Sequence, residues 1–301
     1  MEHVRCSLCG AEAPHPWLET KDRFSGTPFQ LVVCNQCGLI YLSPRPTMEE
    51  LAAYYPEEYE AYQPEASAMS AAQSWHTKRM WEMQAGYLHR FKQPPGRLLD
   101  VGCATGEFLN AARARGWQVR GIELIEQSAQ LARERYGLEV STGMLETVDL
   151  AEDTYDAITM WDVLEHLPDP RKALEQCHWL LKRGGVVIFS IPNLASFDRY
   201  LFGSRWIGWD APRHFTLFGE ETLKQALDQS GFSIVGRHCF LGGKGTFLLS
   251  LDNLLAGSKI AKTTRKMYTL ISAVLWPYRQ LSYLVRRGPI LAVAARKQER
   301  G

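Results

Sequence analysis

LLDVGCATGEFL, residues 98–109, is the stretch that decides the fold. Its first four residues predict a buried strand, its two glycines a tight turn, and the residues from Glu107 onward a helix. An acidic residue, Glu123, ends the next strand-like run. This order is typical of a nucleotide-binding crevice at the carboxyl edge of a parallel sheet: a strand, a glycine turn, a helix, a second strand and an acid.

The spacing of the glycines excludes a dinucleotide. The dinucleotide fingerprint G-x-G-x-x-G would place glycine at 102, 104 and 107, whereas the chain has Gly102, Ala104 and Glu107. The second glycine lets the backbone approach a pyrophosphate, and the third lets helix and strand pack closely. The observed pattern, Gly102-x-x-x-Gly106, instead suits a ligand that has an adenosine and no phosphate.

Two carboxylates complete this pattern. Asp100 immediately precedes the turn and can reach an ammonium group, directly or through water. Glu123 can accept hydrogen bonds from both hydroxyls of a ribose, a two-point contact suited to a carboxylate. The sequence therefore predicts a ligand with an adenosine and a cationic group.

The stretch resembles motif I of class I S-adenosylmethionine-dependent methyltransferases. In that family the glycine turn, here residues 100–106, is followed by an acid such as Glu123. Residues 156–167 resemble the family's fourth strand and the loop after it, and residues 181–193 its fifth strand and the preceding turn. The resemblance covers roughly residues 95–250. It implies an α/β, Rossmann-like fold whose mostly parallel seven-stranded sheet has an antiparallel last strand.

The resemblance also implies where the cofactor binds. The turn residues would surround the methionine part of S-adenosylmethionine, and the ends of the following strands would hold its ribose and adenine. The implied contacts are Asp100, Gly102, Cys103, Thr105 and Gly106 at the methionine part, Glu123 and Leu124 at the ribose, Met144 and Leu145 at the adenine, and Trp161 under the transfer site.

The candidate catalytic residues lie after the fourth and fifth strands. His214 is in an aromatic loop, residues 210–218, which we expect to lie over the crevice as a lid. A histidine suits proton abstraction near neutral pH, and the segment resembles an H-x-x-x-F stretch of related methyltransferases. The alternative is a structural histidine that holds the lid. Asp162 either acts in catalysis or caps the following turn, and His166 is a second candidate base that more simply fixes its loop.

Two C-x-x-C-G knuckles near the amino terminus predict a metal site. Cys6, Cys9, Cys34 and Cys37 provide four thiolates at the spacing of a tetrahedral Zn²⁺ site, and four protein ligands leave no open position for water. The zinc is therefore expected to be structural. The N-terminal module, residues 1–45, is predicted to be a zinc ribbon that is too short to fold without its metal.

The rest of the chain divides at proline-rich and glycine-rich points. Residues 46–93 are predicted to form a helical connector or cap, in which a capping box at residues 47–50 opens the first helix. Residues 94–301 are predicted to form the methyltransferase domain, with an insertion at 250–287. The expected strands are Leu98–Val101, Val119–Ile122, Ala157–Trp161, Val186–Ile191, Phe232–Phe240 and Gly288–Ala295. The expected helices are Glu107–Arg115, Gln127–Tyr136, Arg171–Leu181 and Glu220–Ser230.

The insertion at 250–287 is cationic and aromatic, and Asp252 is its only acid. Two interpretations remain open. The first is a helical hairpin packed on the domain or on a second subunit, which we favour. The second is an interfacial helix pair that makes peripheral contact with a membrane.

Composition limits the function classes. The 301 residues carry a net charge of +1, so no global field attracts nucleic acid. No apolar run approaches the roughly 18 residues that span a bilayer, and the first residues contain no apolar signal region. Seven cysteines, with two close pairs, favour metal binding in a reducing cytoplasm over a disulfide framework.

Three functions are compatible with these patterns. We favour methyl transfer to a small molecule, a sugar or another biosynthetic intermediate, with O-methylation favoured over C-methylation. A zinc-ribbon RNA methyltransferase is the first alternative, but the N-terminal module has no basic stripe. A non-catalytic protein that retains the fold is the second, and the intact acids Asp100 and Glu123 argue against it.

Overall fold

A computed structural model describes residues 1–55, 71–239, 244–256 and 268–298. Within them, eleven strands form two sheets. The strands are β1 (Pro14–Lys21), β2 (Pro28–Cys34), β3 (Ile40–Leu42), β4 (Gly96–Val101), β5 (Trp117–Glu123), β6 (Val140–Thr142), β7 (Tyr155–Trp161), β8 (Leu181–Pro192), β9 (Thr216–Leu217), β10 (Phe232–Cys239) and β11 (Ile290–Lys297).

Ten α-helices accompany these strands in the same ranges. They are α1 (Met48–Leu51), α2 (Ala71–His89), α3 (Glu107–Arg113), α4 (Glu126–Tyr136), α5 (Pro170–Leu180), α6 (Phe197–Phe202), α7 (Glu220–Gln229), α8 (Lys244–Leu255), α9 (Tyr268–Val274) and α10 (Trp276–Leu284). The four helices and six strands expected of the methyltransferase domain are all present, with ends that differ by a few residues.

The main sheet has seven strands in the order β10-β11-β8-β7-β4-β5-β6. The pairs among β4 to β8 are parallel, and β11 is antiparallel to both β8 and β10. This confirms the predicted fold class. The central strands are covered on both faces, and Leu98, Leu99, Ile158 and Phe189 are fully buried, as their continuous apolar runs predict.

The second sheet was only partly anticipated. Its order is β1-β2-β3-β9, all antiparallel, so a strand of the lid completes the sheet of the N-terminal module. Ile40 pairs with Leu217, and Tyr41 pairs with Thr216. Two residues are too short a strand to be recognised from a sequence pattern. The module and the lid therefore share one hydrogen-bonded sheet.

The connector and the insertion are described in part. The predicted capping box is present: the Thr47 hydroxyl accepts from the Glu50 amide at 3.3 Å, and the Glu50 carboxylate accepts from the Thr47 amide at 3.0 Å. The connector residues 56–70, including Tyr59 and Tyr62, lie outside the described residues, as do 257–267 of the insertion. The second half of α8, together with α9 and α10, occupies the described part of the insertion. No described helix is long and apolar enough to cross a membrane.

Candidate functional site

A cavity of about 1120 Å³ opens at the carboxyl ends of β4, β5, β7 and β8. The lid closes one side of it, and residues from the N-terminal module, the connector and α8 border it as well. Every residue predicted to contact the cofactor, except Gly106, borders this cavity, and so do both candidate catalytic residues. The structure thus brings almost all of the predicted set to one place.

The glycine turn has a backbone that only glycine adopts without strain. Gly102 has a φ of +72° and Gly106 a φ of +85°. A Cβ on Gly102 would lie 2.5 Å from a methyl group of Val163, and one on Gly106 would lie 2.6 Å from Leu138. Both glycines are therefore required by conformation and by space, which leaves the turn backbone close to the cavity.

Glu123 fastens this turn to the end of β5. Its Oε2 accepts from the backbone N–H of Ala104 at 2.9 Å, and its Oε1 accepts from the N–H of Ile125 at 2.9 Å. Burial raises the pKa of the Glu123 carboxyl, although these backbone hydrogen bonds oppose that rise. Each carboxylate oxygen retains a lone pair beyond these contacts, so a ribose hydroxyl can still be bound.

Asp100 lies at the end of β4 and is almost fully buried. Its Oδ1 accepts from the hydroxyl of Thr159 at 2.6 Å. Burial raises the pKa of Asp100 to about 8, and the charge of nearby Glu123 adds to the rise. A buried carboxyl of this kind becomes an anion readily only when a cation joins it.

The other predicted cofactor contacts form the remaining wall of the cavity. They are Cys103, Thr105, Leu124, Met144, Leu145 and Trp161. The Thr105 hydroxyl donates to Glu107 at 2.6 Å. Burial raises the pKa of the Cys103 thiol, so it stays protonated, in keeping with a packing or contact role and not with a nucleophile.

His214 lies in the lid and is 9% exposed. Its Nδ1 is 2.9 Å from the carbonyl oxygen of Gly208. A carbonyl only accepts, so Nδ1 carries the proton and Nε2 keeps the lone pair. Burial lowers the pKa of His214, which makes the neutral ring the dominant form at pH 7. The geometry is that of an imidazole able to accept a proton at Nε2.

Asp162 follows β7, with a φ of +55°. The hydroxyl of Ser190 donates to its Oδ1 at 2.7 Å and accepts from its backbone N–H at 2.9 Å. The 3₁₀ turn over Leu164–His166 begins without a side-chain cap, so the capping role considered for Asp162 is wrong. Burial raises the pKa of Asp162, and the charge of a protonated His214 opposes that rise.

His166 fixes its loop, as the simpler interpretation expected. Its Nδ1 is 3.1 Å from the carbonyl oxygen of Arg213, and its ring meets that of His214 edge-on with centroids 4.6 Å apart. Burial lowers the pKa of His166 to about 3. The two histidines support the lid as one packed pair.

Sequence reasoning missed Glu165, which is 1% exposed and borders the cavity. Its carboxylate and the nitrogens of His166 and His214 lie within 4.8 Å of one another. Burial, with Asp162 nearby, raises the pKa of Glu165 well above its usual range, which favours its protonated form. Its only signal in the sequence was its position next to His166.

The four cysteines of the N-terminal module converge. Cys6 and Cys37 have sulfurs 3.5 Å apart, Cys9 and Cys34 have sulfurs 3.4 Å apart, and all four sulfurs lie within 4.8 Å of one another. Each knuckle ends in a glycine with positive φ, 77° and 75°. Four thiols in this arrangement suit a tetrahedral zinc ion.

Comparison with known proteins identifies the family to which the main domain belongs. A family model described as a methyltransferase domain matches residues 68–236. The ubiquinone biosynthesis O-methyltransferase of Pseudomonas syringae pv. tomato is 38% identical over 183 residues, which are 58% of this chain and 76% of that protein. That of Chromobacterium violaceum is 32% identical over 154 residues, 48% of this chain and 64% of that protein.

Solved structures share the fold. A putative sarcosine dimethylglycine methyltransferase from Galdieria sulphuraria superposes with a TM-score of 0.52 at 14% identity, over 78% of this chain and 91% of that one. An S-adenosylmethionine-dependent methyltransferase from Mesorhizobium loti gives 0.50 at 21% identity, over 72% and 98%.

The chain therefore belongs to the methyltransferases. Its glycine turn, the acid after β5 and its seven-stranded sheet place it among the class I S-adenosylmethionine-dependent members. It spans less than two thirds of the length of several relatives that it matches, 64% and 42% in two examples.

Proposed function

We propose that this protein transfers the methyl group of S-adenosylmethionine to a hydroxyl of a small molecule. The observation that carries this proposal is the placement of Asp100, Glu123 and His214 on one cavity. The first two suit the cofactor, and the third suits removal of a proton from the acceptor. The relatives named as O-methyltransferases support transfer to oxygen.

In this proposal the two carboxylates hold the cofactor. Asp100 binds its ammonium group, and Glu123 binds its ribose hydroxyls through the lone pairs that its backbone contacts leave free. Cys103, Thr105 and the glycines contact the methionine part, and residues after β5 and β6 flank the ribose and adenine. The bound cofactor supplies an electrophilic methyl group on a sulfonium, so the protein needs only to align and deprotonate the acceptor.

The proton of the acceptor hydroxyl passes to Nε2 of His214. The carbonyl of Gly208 holds the ring in the required tautomer. The imidazolium that forms is stabilised by the negative charges of Asp210 and, to a smaller extent, Asp162, both of which raise the pKa of His214 against the effect of burial. The aromatic lid, with Phe215 and Phe218 almost fully buried, excludes water from the transfer site.

The acceptor side of the cavity favours a hydroxylated molecule with an apolar body. This side of the cavity is bordered by aromatic and aliphatic side chains and one arginine: Tyr55, Trp206, Ile207, Leu249, Ile290 and Arg23. A sugar acceptor remains the second candidate, since aromatic rings also stack on sugar faces. In either case the acceptor is a biosynthetic intermediate and not a nucleic acid.

We also propose a structural zinc ion on Cys6, Cys9, Cys34 and Cys37, whose convergence supports it. A zinc site built from thiolates is typical of a reducing compartment, which supports a cytoplasmic location. The exposed apolar side chains of α9 and α10 support peripheral membrane contact. Trp276 is 59% and Leu284 is 82% exposed, and the arginines 286 and 287 that follow α10 are exposed as well.

The test is incubation with methyl-labelled S-adenosylmethionine and matched acceptor panels: phenols, sugar nucleotides, and total RNA. Label in a phenol or sugar supports the proposal. Label in RNA alone overturns it in favour of the RNA methyltransferase. Cofactor binding without label in any panel favours the non-catalytic alternative.

A further inference from the structure

Arg213, the residue before His214, is fully buried and ion-paired across the molecule. Its Nη2 donates to Asp22 at 2.9 Å and to Asp210 at 2.7 Å, and its Nε donates to Asp210 at 2.9 Å. Its Nη1 donates to the carbonyl oxygen of Tyr54 at 2.7 Å. The guanidinium thus joins the lid, the connector and the N-terminal module.

Asp22 is itself held rigidly. It follows β1 and begins a tight turn, in which the backbone N–H and the hydroxyl of Ser25 both donate to its Oδ2, at 2.8 and 2.7 Å. The other oxygen, Oδ1, accepts the hydrogen bond from Arg213. Asp22 is 2% exposed, so the module presents a fixed anion to the lid.

The residue on the other side of His214 is held by the same module. The carbonyl oxygen of Phe215 accepts from the backbone N–H of Leu42 at 2.9 Å, immediately before the pairing of β3 with β9. His214 is therefore attached at both of its chain neighbours to the N-terminal module. Neither Asp22 nor Arg213 borders the cavity, so neither contacts substrate.

From this arrangement we infer that Asp22 is a positioning residue that sets the place of His214 through Arg213. The N-terminal module, beyond housing a metal, builds the acceptor half of the site and leaves the cofactor half unaffected. This inference rests on the proposed function for its kinetic consequence. Removal of the Asp22 carboxylate takes away one of the anions that balance the buried charge of Arg213, and the segment that carries His214 shifts. A displacement of about 1 Å can lower turnover about 100-fold.

The test is Asp22→Asn, with Glu19→Gln as the matched control, since Glu19 is an exposed acid on β1 of the same module. We expect Asp22→Asn to lower kcat by roughly 10-fold to 100-fold, while the Kd for S-adenosylmethionine stays within about twofold. Asp22→Glu, which keeps the carboxylate, is expected to recover part of the loss. Equal turnover in Asp22→Asn and wild type overturns the inference.

A double-variant cycle separates positioning from general destabilisation. If Asp22 acts through His214, Asp22→Asn has no further effect on kcat in a His214→Ala background. An equal loss in both backgrounds contradicts the inference. Should Asp22→Asn fail to fold, Ser25→Ala replaces it, since the Ser25 hydroxyl donates to the Asp22 carboxylate at 2.7 Å and its loss loosens that anion.

A measurement that does not depend on catalysis tests this inference separately from the proposed function. The ring signals of His214 are identified in NMR spectra by their loss in His214→Ala. They are expected to move in Asp22→Asn and to stay in place in Glu19→Gln, even if no acceptor is methylated. Unmoved signals in Asp22→Asn contradict the inference, whatever the protein catalyses.

Discussion

Glu123 and Ala104 are joined by a hydrogen bond of 2.9 Å from the Ala104 backbone N–H to the Glu123 Oε2. The residue at the end of β5 thus holds the turn that follows β4, where Ala104 has a positive φ of 46°. Its other oxygen accepts from Ile125, the residue that precedes α4. A residue predicted as a ribose contact therefore also shapes the turn that is predicted to surround the cofactor.

Cofactor affinity is expected to rise with pH. Burial raises the pKa of Asp100 to about 8, so the empty site holds mostly the acid at pH 7. The ammonium of S-adenosylmethionine favours the carboxylate, so binding releases a proton. Titration calorimetry in buffers of different ionisation enthalpy measures that release between pH 6 and 8. Asp100→Asn should weaken binding and reduce the pH slope, and an unchanged slope contradicts the assignment.

The same carboxyl makes the ligand-free fold less stable as pH rises. Below pH 3.8, the ordinary pKa of an aspartate, the group is protonated both folded and unfolded. Between that value and about 8 the unfolded chain ionises while the folded chain retains its proton, so the free energy of unfolding falls. Urea unfolding at pH 5 and pH 8 checks this, and Asp100→Asn should flatten the difference. An undiminished difference in that variant points to other groups.

His214→Ala is expected to separate binding from turnover. Cofactor affinity should stay near that of the wild type. The kcat should fall at least about 100-fold, because no base then removes the proton of the substrate hydroxyl. His3→Ala, an exposed histidine of the N-terminal module, is the control. Steady-state kinetics with a phenol or sugar that the wild type methylates provide the measurement. Near-normal turnover removes His214 as the base.

Metal analysis should find about one zinc ion per chain. Cys34→Ser is expected to lower the zinc content and the stability of the protein, because the site loses one of its four thiolates. Cys239→Ser, a buried cysteine outside the cluster, should retain the metal. Elemental mass spectrometry measures the zinc content of the three purified proteins. A folded wild type that contains no zinc would contradict the zinc site.

Binding to anionic vesicles is expected to depend on α10. Replacing both Trp276 and Leu284 by serine removes two exposed apolar side chains and should reduce co-sedimentation with anionic vesicles severalfold. Val235→Ser, an exposed apolar site on β10, is the control. Absence of wild-type binding to either anionic or neutral vesicles rejects membrane contact and returns α9 and α10 to a packing role.

Local patterns predicted six of the seven strands of the main sheet, and the family resemblance supplied its topology. Most residues predicted to contact the cofactor border the cavity. Gly102, Asp100 and Glu123 are close in sequence to the strands that place them, so their spacing carried the information. The link between the N-terminal module and the lid was not predictable, because it depends on a two-residue strand and on Arg213 meeting Asp22 from 191 positions away. Long-range pairing of this kind follows from packing and leaves no periodic signal.

The missed residue, Glu165, and the wrong capping role of Asp162 have the same physical cause. No local pattern marks Glu165, and the fold buries it beside His166 and His214. Asp162 seemed able to cap the following turn, but Ser190 on the neighbouring strand takes its carboxylate instead. In both cases the deciding partner lies on another element of the fold.

The most direct test of the central claim is calorimetric titration of the protein with S-adenosylmethionine, compared between the wild type and Glu123→Gln. Glu139→Gln is the control, because Glu139 is an exposed acid, 70% accessible, with an ion pair to Arg120. The account predicts one site per wild-type chain and affinity at least about tenfold weaker in Glu123→Gln, a loss of about 1.4 kcal/mol, with the control unchanged. Absence of wild-type binding, or equal affinity in Glu123→Gln, would contradict it.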